Sequence, residues 1–94
     1  MACSTTTVDI PLSLVGRDVH RLVYRLQDVT SEVHFKVKGR SVNAKSLIGM
    51  FSAQIEQNST VTIACHHDDI EQTKEDIKKV LQIIQELSVM DDGL

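Results

Sequence analysis

Ser46 is the hydroxyl residue whose position in this 94-residue sequence best suits a modification. It begins a segment, residues 46–55, that contains no charged side chain. The segment is predicted to form a helix that begins at Ser46. Because the free amides and the dipole of a helix N-terminus stabilise negative charge, a serine at this position is well placed for phosphorylation. A phosphate would add a charge of about −1.5 to −2 beside an apolar segment. Serine is also a common helix cap, so capping alone explains the same residue.

His20 is the histidine whose neighbours suggest phosphate chemistry, because Arg17 and Arg21 lie near it in the same predicted helix. An imidazole can accept a phosphoryl group, and arginines stabilise the added charge. His20 falls in the second turn, however, where the backbone amides no longer point at a ligand. We prefer to interpret it as an exposed polar residue that is available for partner contacts.

The run His66-His67-Asp68-Asp69 is a candidate group of metal ligands. Adjacent residues at the end of a strand point to opposite faces, and zinc sites usually draw ligands from separated segments. We therefore predict a polar loop with a helix N-cap at this place, and no metal site. His34 is expected to point outward from its strand into solvent.

The two cysteines, Cys3 and Cys65, are too few for a disulfide framework. Cys3 is predicted to lie in a frayed tail and Cys65 in an apolar segment, so both are expected to be reduced. Nothing near Cys65 suggests a nucleophile activated by a base. We expect no enzyme activity and no cofactor.

The composition restricts the class of partner. The net charge is −3, whereas nucleic acid binding needs a concentrated basic face. No apolar run approaches the roughly 20 residues that span a bilayer, and the polar N-terminus lacks the charged-then-apolar order of a secretory signal. The sequence therefore favours one cytoplasmic domain, ordered from about residue 6 to 88, which binds protein rather than nucleic acid or membrane.

Apolar periodicity predicts the order β-α-β-β-α-β-α. The strands are expected near residues 7–12, 32–38, 41–44 and 60–65, with a tight connection at Gly39-Arg40. The helices are expected over residues 16–28, from Ser46 to about residue 54, and over residues 69–87, with fraying of residues 90–94. This pattern is typical of an α+β open-faced sandwich, a four-stranded antiparallel sheet with three helices on one face.

The second predicted helix has a wider apolar arc than a small core can cover. Leu47, Ile48, Met50 and Phe51 spread over about 160°, whereas a surface helix needs a stripe of about 100°. We expect Leu47, Ile48 and Phe51 to remain in solvent as a patch of the kind that marks partner sites. The alternative is that the whole helix is sunk in the core.

Two segments carry a resemblance to a known family. They are Thr30-Ser31-Glu32-Val33 and Gly39-Arg40-Ser41-Val42-Asn43-Ala44-Lys45-Ser46-Leu47-Ile48-Gly49-Met50. Both resemble HPr, the small phosphocarrier of the bacterial sugar phosphotransferase system. Within the second, Val42-Asn43-Ala44-Lys45-Ser46, with Gly49 after it, is similar to the Gram-positive versions and their regulatory paralogue Crh. The predicted element order also matches the HPr-like fold.

The resemblance implies a role for Ser46. In Gram-positive relatives, a dedicated ATP-dependent kinase phosphorylates the serine at this place, and the phosphorylated form binds a transcriptional regulator of carbon catabolite control. Leu47, Ile48 and Phe51 fall where the family has its exposed apolar contact surface. Arg17 matches an arginine of the family pattern and is a candidate contact to a phosphate or a partner.

The sequence departs from the family at the phosphate acceptor. HPr has a histidine just before its first helix, in a Gly-Leu-His-Thr-Arg-Pro pattern, and the aligned residues here are Ser13-Leu14-Val15-Gly16-Arg17-Asp18. Val15 has no nitrogen to take a phosphoryl group, so transfer at this position is not expected. We expect a regulatory protein controlled through Ser46. The alternatives are an interaction module that needs no phosphorylation and a carrier that uses His20.

Overall fold

The computed structural model describes residues 1–92 and confirms the predicted element order. The strands are β1 (Ala2–Asp9), β2 (Glu32–Val37), β3 (Arg40–Asn43) and β4 (Thr60–His67). The helices are α1 (Arg17–Leu26), α2 (Leu47–Ala53) and α3 (Ile70–Asp92). Helix α3 continues past its predicted end, and the last part of segment 90–94 lies outside the described residues.

The four strands form one antiparallel sheet in the order β1-β4-β2-β3. Along β2 and β4 alternate side chains are buried, as expected for a sheet with one covered face. The covered face contributes Val33, Phe35, Val61, Ile63 and Cys65 to the core. The three helices pack over this face, so the predicted α+β open-faced sandwich is confirmed.

The first strand begins earlier than the apolar alternation indicated. Residues from Ala2 to Asp9 pair with β4, so the placement of Cys3 in a frayed tail is wrong. The threonines of this strand are β-branched and suit a strand, but they carry no hydrophobic period. Ile10 and Leu12 are buried, yet they follow the strand because Pro11 between them has no amide to donate.

The connection between β2 and β3 is a two-residue turn formed by Lys38 and Gly39, because Val37 pairs with Arg40. Both turn residues have positive φ, 51° and 79°, as a type I′ hairpin turn requires. The prediction that Arg40 belongs to the turn is therefore wrong by one residue.

The predicted loop at His66 and His67 is also wrong, because both residues belong to the end of β4. The Asp69 carboxylate accepts from the Glu71 amide at the start of α3.

A buried carboxylate joins α3 to the beginning of β2. Asp76 Oδ2 accepts from the amide of Ser31 at 2.8 Å and from its hydroxyl at 2.5 Å, and Oδ1 accepts from Gln72 Nε2 at 2.9 Å. Burial acts to raise the pKa of Asp76, but these donors outweigh it and hold the pKa below its usual range.

A second polar contact joins α1 to α3. Arg25 of α1 donates to Glu86 of α3 at 2.6 Å, and this hydrogen bond lowers the pKa of Glu86.

We predict that Asp76→Ala lowers the free energy of unfolding by about 2–4 kcal/mol, since it leaves two donors of buried Ser31 without an acceptor. Urea denaturation followed by circular dichroism at neutral pH measures the loss. Glu75→Ala, at the exposed neighbouring position, is the matched control and should cost less than about 0.5 kcal/mol.

The contribution of Asp76 to the free energy of unfolding should depend on pH. Because the pKa of Asp76 is lowered on folding, its stabilising contribution is complete above about pH 4, the ordinary aspartate value, and is lost as the pH falls through the folded-state value. The difference in unfolding free energy between wild type and Asp76→Ala should therefore narrow on acidification. A difference that stays constant down to pH 2 would contradict this account.

Candidate partner-binding surface

Ser46 is the N-cap of α2, as predicted. Its Oγ accepts from the Gly49 amide at 3.1 Å, and its carbonyl accepts from the Met50 amide at 2.9 Å. A Cβ at Gly49 would lie 3.3 Å from this Oγ and 3.5 Å from the Asn43 carbonyl oxygen. The glycine therefore provides room inside the turn for the capping serine.

Helix α2 buries one side chain and exposes three apolar ones. Met50 is fully buried, whereas Ile48 is 83%, Phe51 45% and Leu47 36% exposed. The predicted exposure of the last three residues is confirmed, and the alternative of a helix sunk in the core is wrong. A seven-residue helix lying on the edge of the core can direct only one side inward.

The exposed residues of α2 line a groove together with a residue of α1. The groove has a volume of about 360 Å³ and is lined by His20, Leu47, Ile48, Phe51 and Ser52. The structure thus places His20 beside the apolar residues of α2, a proximity that the sequence did not predict. We call this groove, with Ser46 at the start of α2, the α1/α2 surface.

The start of α1 is held beside the end of α2 by the backbone. The Leu14 amide donates to the Ile55 carbonyl at 2.8 Å, in an isolated bridge just before Val15. Val15 is 37% exposed and Arg17 is exposed at the first position of the helix. The exposed group just before this helix is therefore an isopropyl side chain, which cannot accept a phosphoryl group.

Asp18 gives the first turn of α1 a negative charge. Its carboxylate lies 3.7 Å from the Arg21 guanidinium and faces the positive end of the helix dipole. A carboxylate at this place already supplies the anion that a helix N-terminus favours. It would repel a second anion brought to the same turn.

Tyr24 is an exposed aromatic residue of α1 that the sequence patterns did not single out. It is 77% exposed and follows His20 by four residues and Arg17 by seven, so all three lie on one face of α1. That spacing was a usable signal, because an aromatic side chain on the polar face of an amphipathic helix is unusual and aromatic residues are enriched at interfaces.

Two side chains hold the segment before Ser46 against the end of α1. Lys45 Nζ donates to the Val29 carbonyl at 2.5 Å, and Gln27 Nε2 donates to the Lys45 carbonyl at 3.0 Å. The ammonium of Lys45 is thus used in the fold. These bonds fix the position of the α2 N-cap relative to α1.

Other candidate residues lie away from this surface. Cys65 is fully buried, and burial raises the pKa of its thiol to about 11, which does not suit a nucleophile. His34 is half-buried on the uncovered face of the sheet rather than freely solvated. Within residues 1–92, no helix has both the length and the apolar character that crossing a bilayer requires.

Comparison with protein families supports the resemblance. The family model for the PTS HPr component phosphorylation site matches residues 3–82, which is most of the chain. The chain belongs to the HPr family. The helices and strands described above are therefore those of an HPr-like fold.

Similar proteins include a phosphocarrier protein HPr and an HPr-like protein Crh. The chain is 32% identical over 78 residues to a phosphocarrier protein HPr of Buchnera aphidicola, covering 83% of this chain and 92% of that protein. It is 31% identical over 68 residues to the HPr-like protein Crh of Halalkalibacterium halodurans, covering 72% and 81%. The crystal structure of a phosphocarrier protein HPr from Bacillus anthracis superimposes with a TM-score of 0.76 at 25% identity, covering 88% and 98%.

The N-cap role of Ser46 predicts a measurable stability difference. Ser46→Ala should lower the free energy of unfolding by about 1 kcal/mol, whereas Ser46→Asp should stay within about 0.5 kcal/mol of wild type because aspartate also caps helices. Ser52→Ala is the matched control, since Ser52 lies within the same helix and is exposed. Equal unfolding free energies for Ser46→Ala and wild type would show that the cap contributes nothing.

Proposed function

We propose that this protein is a non-catalytic regulatory member of the HPr family that binds a protein partner through the α1/α2 surface. Phosphorylation of Ser46 controls that binding, and the start of α1 carries no phosphate. The observation that carries the proposal is an exposed apolar groove immediately beside a capping serine. The contact residues would be Arg17 and His20 on α1 and the three exposed apolar residues of α2, joined by Tyr24.

The surroundings of Ser46 suit a phosphoserine. The first turn of α2 contains no acidic residue, and the Gly49 amide already points at the serine oxygen. A phosphate on this oxygen would be held by free amides and by the helix dipole. Because residues 46–55 are uncharged, the added charge would dominate the local potential and change which partner the surface binds.

The start of α1 does not support a carrier. The exposed side chain before the helix is Val15, and Asp18 places a carboxylate in the first turn. His20 lines the groove from the second turn, where the terminal amides no longer point at a ligand. The similarity to a Crh protein is consistent with a regulatory role. We propose that the protein acts in the cytoplasm on a regulator of carbon catabolite control.

The modification is tested with an HPr serine kinase from a Gram-positive bacterium and ATP. We expect one phosphate on the wild-type protein, located at Ser46 by tandem mass spectrometry, and none on Ser46→Ala. Ser52→Ala, which keeps Ser46, should be modified like wild type. A folded wild-type protein that gains no phosphate would favour the alternative of an interaction module that needs no phosphorylation.

The partner surface is tested with the phosphorylated protein and a catabolite-control transcriptional regulator. Ile48→Asp should weaken binding about tenfold or more, because it places a charge in the centre of the apolar groove. Val89→Asp is the matched control, since Val89 is an exposed valine on α3 outside this groove. Equal weakening by both variants would contradict the assignment of the surface.

The carrier alternative is tested separately with phosphoenolpyruvate and the upstream phosphotransferase enzyme. We expect no acid-labile phosphate on wild type and no difference between wild type and His20→Ala. Phosphate gained by wild type and lost in His20→Ala would assign the carrier role to His20 and overturn the regulatory proposal.

A further inference from the structure

Strand β1 forms the less protected of the two edges of the sheet. It pairs with β4 on one side, and within residues 1–92 no strand pairs with its other side. Proteins usually protect a sheet edge by a short strand, charged side chains, proline or a bulge. The opposite edge, β3, has four residues and begins with Arg40, whereas β1 has eight residues and neither charge nor proline from Ala2 to Val8. The backbone groups on the outer side of β1 are therefore open to pairing with another strand.

A groove runs beside this edge, between β1 and the first part of α3. It has a volume of about 470 Å³, and its lining includes Ser4, Thr5 and Ile77. The hydroxyl oxygens of Ser4 and Thr73 lie 2.7 Å apart, so Thr73 of the helix is placed beside Ser4 of the strand. The charged residues of α3 that line the groove alternate in sign along the helix: Glu71, Lys74, Glu75 and Lys78.

This pattern of charges is complementary to itself when the helix is reversed. If two α3 helices lie antiparallel and are centred between residues 74 and 75, Glu71 faces Lys78 of the second copy, and Lys74 faces Glu75 of the second copy. Both contacts join opposite charges, which favour association and fix its register. A two-fold axis produces this reversal and makes each contact occur twice. The occupant that best fits the groove is therefore a second copy of this chain.

The strand and the helix place this two-fold axis at the same point. A helix rises about 1.5 Å per residue and a strand about 3.3 Å. The centre of the charge pattern lies between one and two residues after Thr73, which is about 2 Å along the helix and therefore beside Thr5. Thr5 is also the middle residue of the uncharged segment 2–8. An antiparallel pair of β1 strands centred on Thr5 thus brings the two α3 helices into their complementary register.

The spacing of the elements allows both contacts to form together. Helix α3 packs against both β1 and β4, and neighbouring strands lie about 4.8 Å apart. With its axis midway between these two strands, α3 lies about one strand spacing from the two-fold axis. The two α3 helices are then about 10 Å apart, which is an ordinary distance between packed helices.

We propose that this protein forms a symmetric dimer in which the β1 strands of two copies pair antiparallel about Thr5 and the two α3 helices pack across the axis. The two sheets become one sheet of eight strands, and each β1 stays paired with its own β4. The interface contains no residue of the α1/α2 surface. The dimer therefore presents two α1/α2 surfaces at once, which would strengthen its binding to a partner that has two sites.

The strand contact is tested on the full chain by sedimentation equilibrium from low micromolar to submillimolar concentration. We expect wild type to reach twice the mass of the chain within this range. Thr5→Lys should raise the dissociation constant of the dimer about tenfold or more, because it places two lysines opposite each other at the axis. Ser41→Lys is the matched control, since Ser41 is an exposed residue of the other edge strand, and it should change the constant less than about twofold.

The helix contact is tested by exchanging charges on α3. Glu71→Lys and Lys78→Glu should each weaken the dimer, because each makes like charges face each other across the axis. The double variant restores opposite charges and should return to within about threefold of the wild-type dissociation constant. Circular dichroism confirms that each variant folds. The proposal is overturned if wild type stays monomeric at submillimolar concentration, if Ser41→Lys weakens the dimer as much as Thr5→Lys, or if the double variant is no better than the single ones.

Discussion

Helix α2 is held on the core through the buried side chain of Met50. This single buried contact determines which side chains of the helix remain exposed to solvent. The helix has only two turns, and its N-terminus is fixed by the Ser46 cap, which packs against Gly49. It therefore cannot rotate to bury a second apolar side chain. The remaining apolar residues, among them Ile48, are therefore left in solvent. An apolar groove beside a serine is the direct consequence of the way this short helix packs.

Contacts outside the groove keep it in place. The Leu14–Ile55 bridge holds the start of α1 against the end of α2, and the side chain of Lys45 holds the α2 N-cap against the end of α1. The buried carboxylate of Asp76 attaches the long helix α3 to the beginning of β2. The first two contacts fix α1 and α2 relative to each other, and the third fixes α3 on the sheet.

The two ends of the surface differ in their electrostatics. The first turn of α1 already contains the carboxylate of Asp18, paired with Arg21, whereas the first turn of α2 has no acidic residue and an amide directed at Ser46. A new negative charge is therefore favoured at α2 and opposed at α1. This difference is the physical argument behind our proposal of a regulatory role for this member of the HPr family.

The apolar arc of α2 predicted three exposed side chains but left open a helix sunk in the core, and tertiary packing decided between the two. The element order and the fold class followed from local patterns, namely strand and helix periodicity and the serine cap. Each of these depends on neighbours in the sequence, so the sequence by itself was sufficient. The first part of β1, residues 2–6, was not predicted because it pairs with β4 without a hydrophobic period. The position of His20 beside α2 and the place of β1 at the edge of the sheet beside α3 were decided only by tertiary structure, since helix packing and strand register join residues that are far apart in the chain.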